Sequence, residues 1–464
     1  MLGHIIEKEL KDCLYGYRSL LVFILSTVLF LVAIYTGTRD YQAELQEYRL
    51  AQVAHRQHLA EETNLYAFSN FGFNLVKPPV VLGILVSGVE PHTPRVYNLA
   101  LYTLPEPQGS AVSENPTVAV FGALDVSFIV QVVLGLAALL FTFSVICGEK
   151  ELGTLKLQLA NALPKDVLLL GKLAGNLIGL LAPVAVAFLL ACLLLMSFGG
   201  VSLNGEEAWR LLLLGIDFAL YLVVLFALGM CVSTLTTRST SAFALCLVVW
   251  VIVVAIVPRF ALITARRLAP AESLEEFEMK KLAVHRRGTV EAQAEYSQYV
   301  RTHNGQTPPL AVYEELSRRI RDRQNGELRK LEEHYLRAKE QQARVTMLLS
   351  RISPAGSAAY AAMSLARTGL ERDFRFRLAL RDYRSVFTAY YDRKSRELID
   401  LTQGQGIPLV ITRQNFTDLP GFEFQEESLA SSLSRALPDL GFLLIWGLVL
   451  FAVAYFKFLR YDVR

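Results

Sequence analysis

The chain has 464 residues, 53% of them hydrophobic and 19% charged, and its mean hydropathy is +0.36. That mixture excludes a plain soluble domain and points to apolar spans joined to large water-facing parts. A net charge of only +3, without a dense Lys/Arg tract interleaved with aromatics, argues against nucleic acid as the partner.

In chain order, residues 1–18 read as a cytoplasmic amphipathic helix. Ile5, Ile6, Leu10 and Leu14 share one face, and Glu7, Lys8, Lys11 and Asp12 share the other. The first span is 19–36, and its flank is a poor cleavage site for a leader peptide. An extracytoplasmic segment, 37–125, follows. It opens as a helix continuing from the span, with Tyr41, Leu45, Tyr48 and Gln52 at helical spacing. Pro78, Pro79, Pro91, Pro94, Pro105 and Pro107 then favour loops and short extended pieces. The apolar run 80–89 is too short to cross a bilayer. His55 and His58, at i and i+3, lack a full ligand set even with His92. They read as a solvated helix face, and no metal is expected.

The second span, 126–147, carries Gln131. Residues 148–172 are charged and amphipathic, too polar for hydrocarbon. The third span, 173–198, opens on Gly171, Gly175 and Gly179, whose spacing permits close helix packing. The fourth, 211–232, carries Asp217 near its start, where a partly hydrated polar kink is the plain expectation. Asp125 and Asp439 stand at span ends, within reach of water. The fifth span is 241–257. A longer extracytoplasmic region, 258–436, reads as a helical domain. Val312, Leu316, Ile320, Leu328, Leu331 and Leu336 mark one amphipathic helix, and Phe374, Leu378, Phe387, Tyr391 and Leu398 mark another. Ser353-Pro354 separates them. The sixth span, 437–456, leads to a cytoplasmic tail, 457–464. The fold class is therefore an all-α membrane protein with six transmembrane helices and a mostly helical extracytoplasmic domain.

Basic residues orient it. Lys8, Lys11, Arg18, Lys150, Lys156, Lys165, Lys172, Arg238, Lys457, Arg460 and Arg464 fall on one side of a six-span topology, so both termini are expected in the cytoplasm. Arg259, Arg266 and Arg267 fall on the other side, at the start of a segment long enough for the rule to weaken. Cys13, Cys147, Cys192, Cys231 and Cys246 all map to membrane or cytoplasmic positions, so no extracytoplasmic disulfide is expected.

No catalytic group stands out. The nearest approach to a P-loop is Gly171-Lys172, but Asp166 and Leu173 occupy the places of Gly and Ser/Thr. An ATP-driven chain of this sequence would use another subunit's ATPase. A short helix in 148–172 that presents Leu152, Leu155 and Leu159 fits a groove on a soluble partner, with Glu149, Lys150, Glu151 and Lys156 fixing its orientation. Pro164 ends that helix, and Lys165 begins the next.

The run GEKELGTLKLQLANALPKDVLLLGK, residues 148–172, resembles the coupling segment of ABC-2-type ABC transporter permeases. The runs NPTVAVFGALDVSFIVQ, SRISPAGSAAYAAMSLARTGLERDFRF and LPDLGFLLIWGLVLFAVAYFKFLRYDVR are similar to a bacterial subgroup of them. That subgroup has a large extracytoplasmic domain between the last two transmembrane helices, and some relatives are linked to multicopper enzyme maturation. The resemblance implies an inner-membrane homodimer with two copies of a cytoplasmic ABC ATPase. That partner uses ATP and Mg, and this chain binds no cofactor. Gly153 and Thr154 join the coupling residues through the matching motif. The implied activity is export of an amphipathic or lipid-like cargo. Asp217 and Gln131, polar groups inside spans, are candidates for the translocation path. Membrane lipids and a periplasmic protein complete the implied partners. The alternative is a mechanotransmission module, in which ATP hydrolysis moves the extracytoplasmic domain and nothing is transported.

Overall fold

The computed structural model describes residues 2–101, 105–108, 124–160, 164–198, 204–401 and 415–461. Among them six helices are long and apolar enough to cross a membrane: Tyr17–Glu61, Val126–Leu152, Lys165–Ser197, Gly205–Leu235, Ser239–Leu268 and Leu429–Leu459. The chain is an all-α membrane protein apart from one small sheet.

Helix α1 (Leu2–Tyr15) is separated by Gly16 from α2 (Tyr17–Glu61). At 1.5 Å per residue the 45 residues of α2 extend about 68 Å. That is over twice the hydrocarbon thickness of about 30 Å, so the second half of α2 stands clear of the bundle. After α3 (Leu65–Phe71), strands β1 (Phe73–Val76), β2 (Val96–Leu99) and β3 (Glu106–Gln108) form an antiparallel sheet in the order β1-β2-β3, with Phe73 opposite Leu99 and Val96 opposite Gln108. Pro107 sits in the edge strand, where a missing N–H costs no ladder bond on the open side. The second span is α4 (Val126–Phe128), a π-helical stretch Ile129–Leu134 and α5 (Gly135–Thr142). Two short helices follow, α6 (Cys147–Leu152) and α7 (Thr154–Ala160). Spans three and four are α8 (Lys165–Phe198) and α9 (Gly205–Leu235). Span five is α10 (Ser239–Trp250), a second π-helical stretch Val251–Ile256 and α11 (Val257–Leu268).

Of the prolines inside span helices, two free a carbonyl that a distant serine answers. Pro183 frees the Gly179 carbonyl four residues earlier, which accepts from Ser19 Oγ at 3.0 Å. Pro258 gives no N–H to the π-helical stretch before it, and Ser353 Oγ donates to the Val253 carbonyl.

Helices α12 (Leu274–Thr302) and α13 (Leu310–Ser350) form a hairpin, with Phe277 and Tyr335 stacked at 4.3 Å. Ser273 and Glu276 form a capping box at the start of α12. Helix α14 (Pro354–Ala366) follows. It lies not in the outer domain but against α9, the final span α16 (Leu429–Leu459) and both π-helical stretches. Its thirteen residues are too few to span, yet Ala355, Ala358, Ala361, Ala362 and Leu365 are all buried. A helix apolar on every side must be enclosed.

The outer domain has its own core. Helix α15 (Leu370–Leu401) contributes Phe376, Tyr383 and Phe387. The sheet adds Phe73 and Tyr97, α3 adds Phe68, and the segment before α16 adds Phe416. Phe68 and Phe416 stack at 4.4 Å. The two long inter-span regions therefore build one domain. His55 packs on Phe73 at 4.7 Å and His58 on Phe68 at 6.2 Å, so this face of α2 meets aromatic core rather than solvent alone. Beside it, Lys77 is buried between Glu90 (2.8 Å) and Asp373 (3.7 Å), and Arg372 bridges Glu90 (2.9 Å) to Glu426. Burial alone would raise the Glu90 carboxyl, but Lys77 and Arg372 outweigh it and hold it below its ordinary value.

Candidate functional site

Helix α1 and residues 147–172 meet at one end of the bundle, together with the C-terminal end of α16. α1 lies along the first half of α8 because of a glycine stripe. A Cβ on Gly171, Gly175 or Gly179 would sit 2.5 Å from Ile5 Cγ2, 2.6 Å from Glu9 Cβ or 2.8 Å from Cys13 Cβ. The close packing legible in the spacing is thus with α1, not with another span.

A charge chain fastens this joint. Lys172 is 2% exposed, and its Nζ lies 2.8 Å from Glu9 Oε1 and 2.6 Å from Glu149 Oε1. Asn176 Nδ2 donates to Glu9 Oε2 at 3.0 Å, and Gln158 Nε2 donates to Glu149 Oε1 at 3.0 Å. Cys13 Sγ donates to Asn176 Oδ1 at 3.1 Å. Burial first, then the Glu9 carboxylate, push the Cys13 thiol up to about 11.

The other motif residues pin helix ends. Lys150 Nζ donates to the carbonyls of Thr234 (2.6 Å) and Thr236 (3.1 Å), where α9 ends. Lys165 Nζ does the same for Leu459 (3.2 Å) and Tyr461 (2.8 Å), where α16 ends. Both place a cation at the negative end of a helix dipole. Glu151 accepts the Ser239 N–H at 2.9 Å, an anion at the start of α10. Thr154 Oγ1 donates to the Glu149 carbonyl at 3.4 Å. Leu155 is 1% exposed, packed with Ile146, Leu168, Leu169, Met230 and Phe458.

What faces outward is Leu152, 79% exposed, and Leu157, 70% exposed, on either side of Gly153. Gly153 adopts φ +74° with nothing within 4 Å of a would-be Cβ, the left-handed geometry that favours glycine. That turn breaks the helical phase between α6 and α7. One periodicity drawn across the segment therefore gives Leu155 to the outer face, where the structure puts Leu157. The Leu159 side chain and residues 161–163 lie outside those described.

The two polar span residues lie elsewhere. Asp217 on α9 is fully buried, and neither carboxylate oxygen has a hydrogen-bond partner among the described residues. The expected partial hydration is absent from its surroundings because α9 is packed by α5, α14 and α16. The Gln131 side chain donates to Ser127 Oγ at 2.9 Å, and its backbone carbonyl accepts from the Tyr221 hydroxyl at 2.8 Å. Tyr221 is one turn beyond Asp217, so both candidates border the seam between α9 and the second span. Asp439 is buried rather than wetted, with Oδ2 held by Arg351 Nη2 at 3.1 Å. Arg351 has no signal in the sequence beyond its charge. Asp125 caps the second span, accepting from the Phe128 N–H at 2.7 Å and from Ser87 Oγ at 2.7 Å.

The sequence matches the ABC-2 family transporter protein family over residues 4–463. The chain belongs to this family. A comparison with curated proteins finds no match. As an ABC-2 family protein it is a multi-pass membrane component of a transporter whose ATPase is, in general, a partner subunit. The family's motif run lies on the described joint between α1, α6 and α8.

Proposed function

We propose that this chain is the permease subunit of an ATP-driven ABC-2 exporter in a bacterial cytoplasmic membrane, with both termini in the cytoplasm. Two copies pair, and two copies of an ABC ATPase that binds ATP and Mg dock on residues 148–172. The observation that carries this reading is how the segment is mounted. Glu149, Lys150, Glu151 and Lys165 hold other elements, Leu155 packs inward, and Leu152 and Leu157 remain as an exposed ridge. Exposed leucines on a fixed mount suit a groove in a soluble partner. ATP-driven closure of the ATPases would move that mount and with it the ends of α9, α10 and α16.

The cargo is amphipathic or lipid-like, and Asp217 and Gln131 meet it when α9 parts from the second span. The domain between spans five and six supports placement in the bacterial subgroup some of whose members serve multicopper enzyme maturation. It would receive a periplasmic protein. The test is Leu152→Glu with Leu157→Glu, followed by pull-down from native membranes and an ATPase assay. The expected result is loss of the ATPase with an unchanged melting temperature. Stoichiometric recovery of the ATPase with the double variant would overturn the docking site.

A second reading, mechanotransmission without cargo, is favoured by α13, which runs 41 residues from the hairpin tip to Arg351 without a break. ATP-dependent movement of the hairpin with no flux of lipid-like probes in reconstituted vesicles would select it.

A further inference from the structure

Three arginines stand on the side of the membrane where the distribution of basic residues disfavours them. Arg259, Arg266 and Arg267 lie on α11, the continuation of span five. This helix buries Ala261 and Ala265, and its main neighbour is α13. At about 100° per residue, the three arginines fall within about 100° of one another on the opposite face, at i, i+7 and i+8. Phe260, Leu262 and Ile263 are interleaved with them and exposed. All three arginines are exposed, and none makes an ion pair or hydrogen bond among the described residues. The nearby Glu272 is engaged by Lys280 at 2.6 Å.

The apolar surface of span five continues directly below. Val248, Val251, Ile252 and Ile256 are exposed on it. Arg259 rises about 4.5 Å beyond Ile256 along the helix, and Arg266 about 15 Å. The polar layer of a bilayer begins where such an apolar run stops and is about 5–8 Å deep on each side. Helical side chains lean toward the N-terminus of their helix. Here that direction is toward the bilayer, so Arg266 and Arg267 lean back toward the headgroup layer.

We propose that Arg259, Arg266 and Arg267 form a site for the phosphate headgroup of an anionic phospholipid. Guanidinium forks bind phosphate oxygens in pairs. The arginine stems and Phe260, which lies nearest the end of the apolar run, cover the upper acyl chain. Phe260, together with continuity with a membrane span, favours a lipid over an acidic protein. The site depends on span five lying in the bilayer and is independent of cargo or coupling. Each basic residue at an anionic membrane surface favours binding by about fivefold, so three give a preference on the order of a hundredfold.

The test uses the full chain in phosphatidylcholine nanodiscs with graded phosphatidylglycerol, reading retained lipids by native mass spectrometry. Wild type should retain phosphatidylglycerol over phosphatidylcholine on the order of a hundredfold. R259Q/R266Q/R267Q should lose that preference, and the triple Lys variant should keep an intermediate one. Equal retention by wild type and the Gln variant would overturn the proposal, as would a wild type without preference. Unchanged lipid retention with loss of self-association would make this face an interface between copies instead. Should the Gln variant misfold, R266Q alone carries the test, with an expected loss of about fivefold.

Discussion

Replacing Lys172 with Met removes the ammonium that joins Glu9 to Glu149 while keeping the volume of its stem. Breaking a buried ion pair by deleting one partner costs about 3–5 kcal/mol, because a charge is stranded. Two features reduce that here. The Glu9 and Glu149 side chains keep 14% and 20% exposure, although Glu149 Oε2 is itself buried. Each also keeps a neutral donor, Asn176 and Gln158 respectively. The expected loss is about 2–3 kcal/mol, localised to the joint between α1, α6 and α8. Lys172→Met with Glu9→Gln and Glu149→Gln strands no charge and should recover most of it. The local assay is maleimide labelling of Cys13, resolved by peptide mass. A thiol at about 11 is thiolate in only about one molecule in a thousand at pH 8, so wild type labels slowly. Release of α1 relieves the burial that dominates this shift, and labelling should accelerate about tenfold. The other described cysteines are buried and serve as internal controls. Unchanged labelling together with an unchanged melting temperature would refute the claim that this charge chain holds α1.

The outer domain should be acid-sensitive through Glu90. Its depressed carboxyl contributes stability above the free value of 4.5 that is lost as pH falls below it, so melting should drop in that range and Glu90→Gln should flatten the drop. An equally steep drop in the variant would assign the effect elsewhere. Asp217→Asn should melt at or above wild type, because it removes an unpartnered buried acid. A loss above about 2 kcal/mol would mean that the carboxylate has a partner. Gly153→Val should cost about 1–2 kcal/mol through backbone strain alone, with Gly153→Asn much milder. Equal melting of the two variants would contradict the left-handed turn.

The spans were legible because hydrocarbon leaves a single-chain apolar run few options other than a helix, and each run has the required length. The glycine stripe announced a close contact but not its partner, since spacing records how near a helix may come and not which one does. A periodicity count gives Leu155 to the outer face because the left-handed turn at Gly153 is invisible to it. Proline density from Pro78 to Pro107 favours loops and short extended pieces without revealing that three strands pair into a sheet, a matter of long-range register. In the sequence, the place of Asp439 near a span end puts it within reach of water. Only the packing of α14, which the sequence presents as part of the outer domain, shows that it is covered.

Helix α16 joins the two ends of the molecule. Near its start Asp439 is held by Arg351, the residue that follows α13, and its last carbonyls are held by Lys165 at the foot of α8. A displacement of the 148–172 joint therefore reaches the hairpin through one continuous 31-residue helix and one buried ion pair. Export and mechanotransmission make the same demand on that route. They make opposite demands on Asp217. A cargo path must separate α9 from the second span and wet the carboxyl during the cycle. A purely mechanical cycle can shift α16 and α13 together and leave Asp217 dry. Solvent access at position 217 through the ATPase cycle thus discriminates between the two, whatever the cargo is.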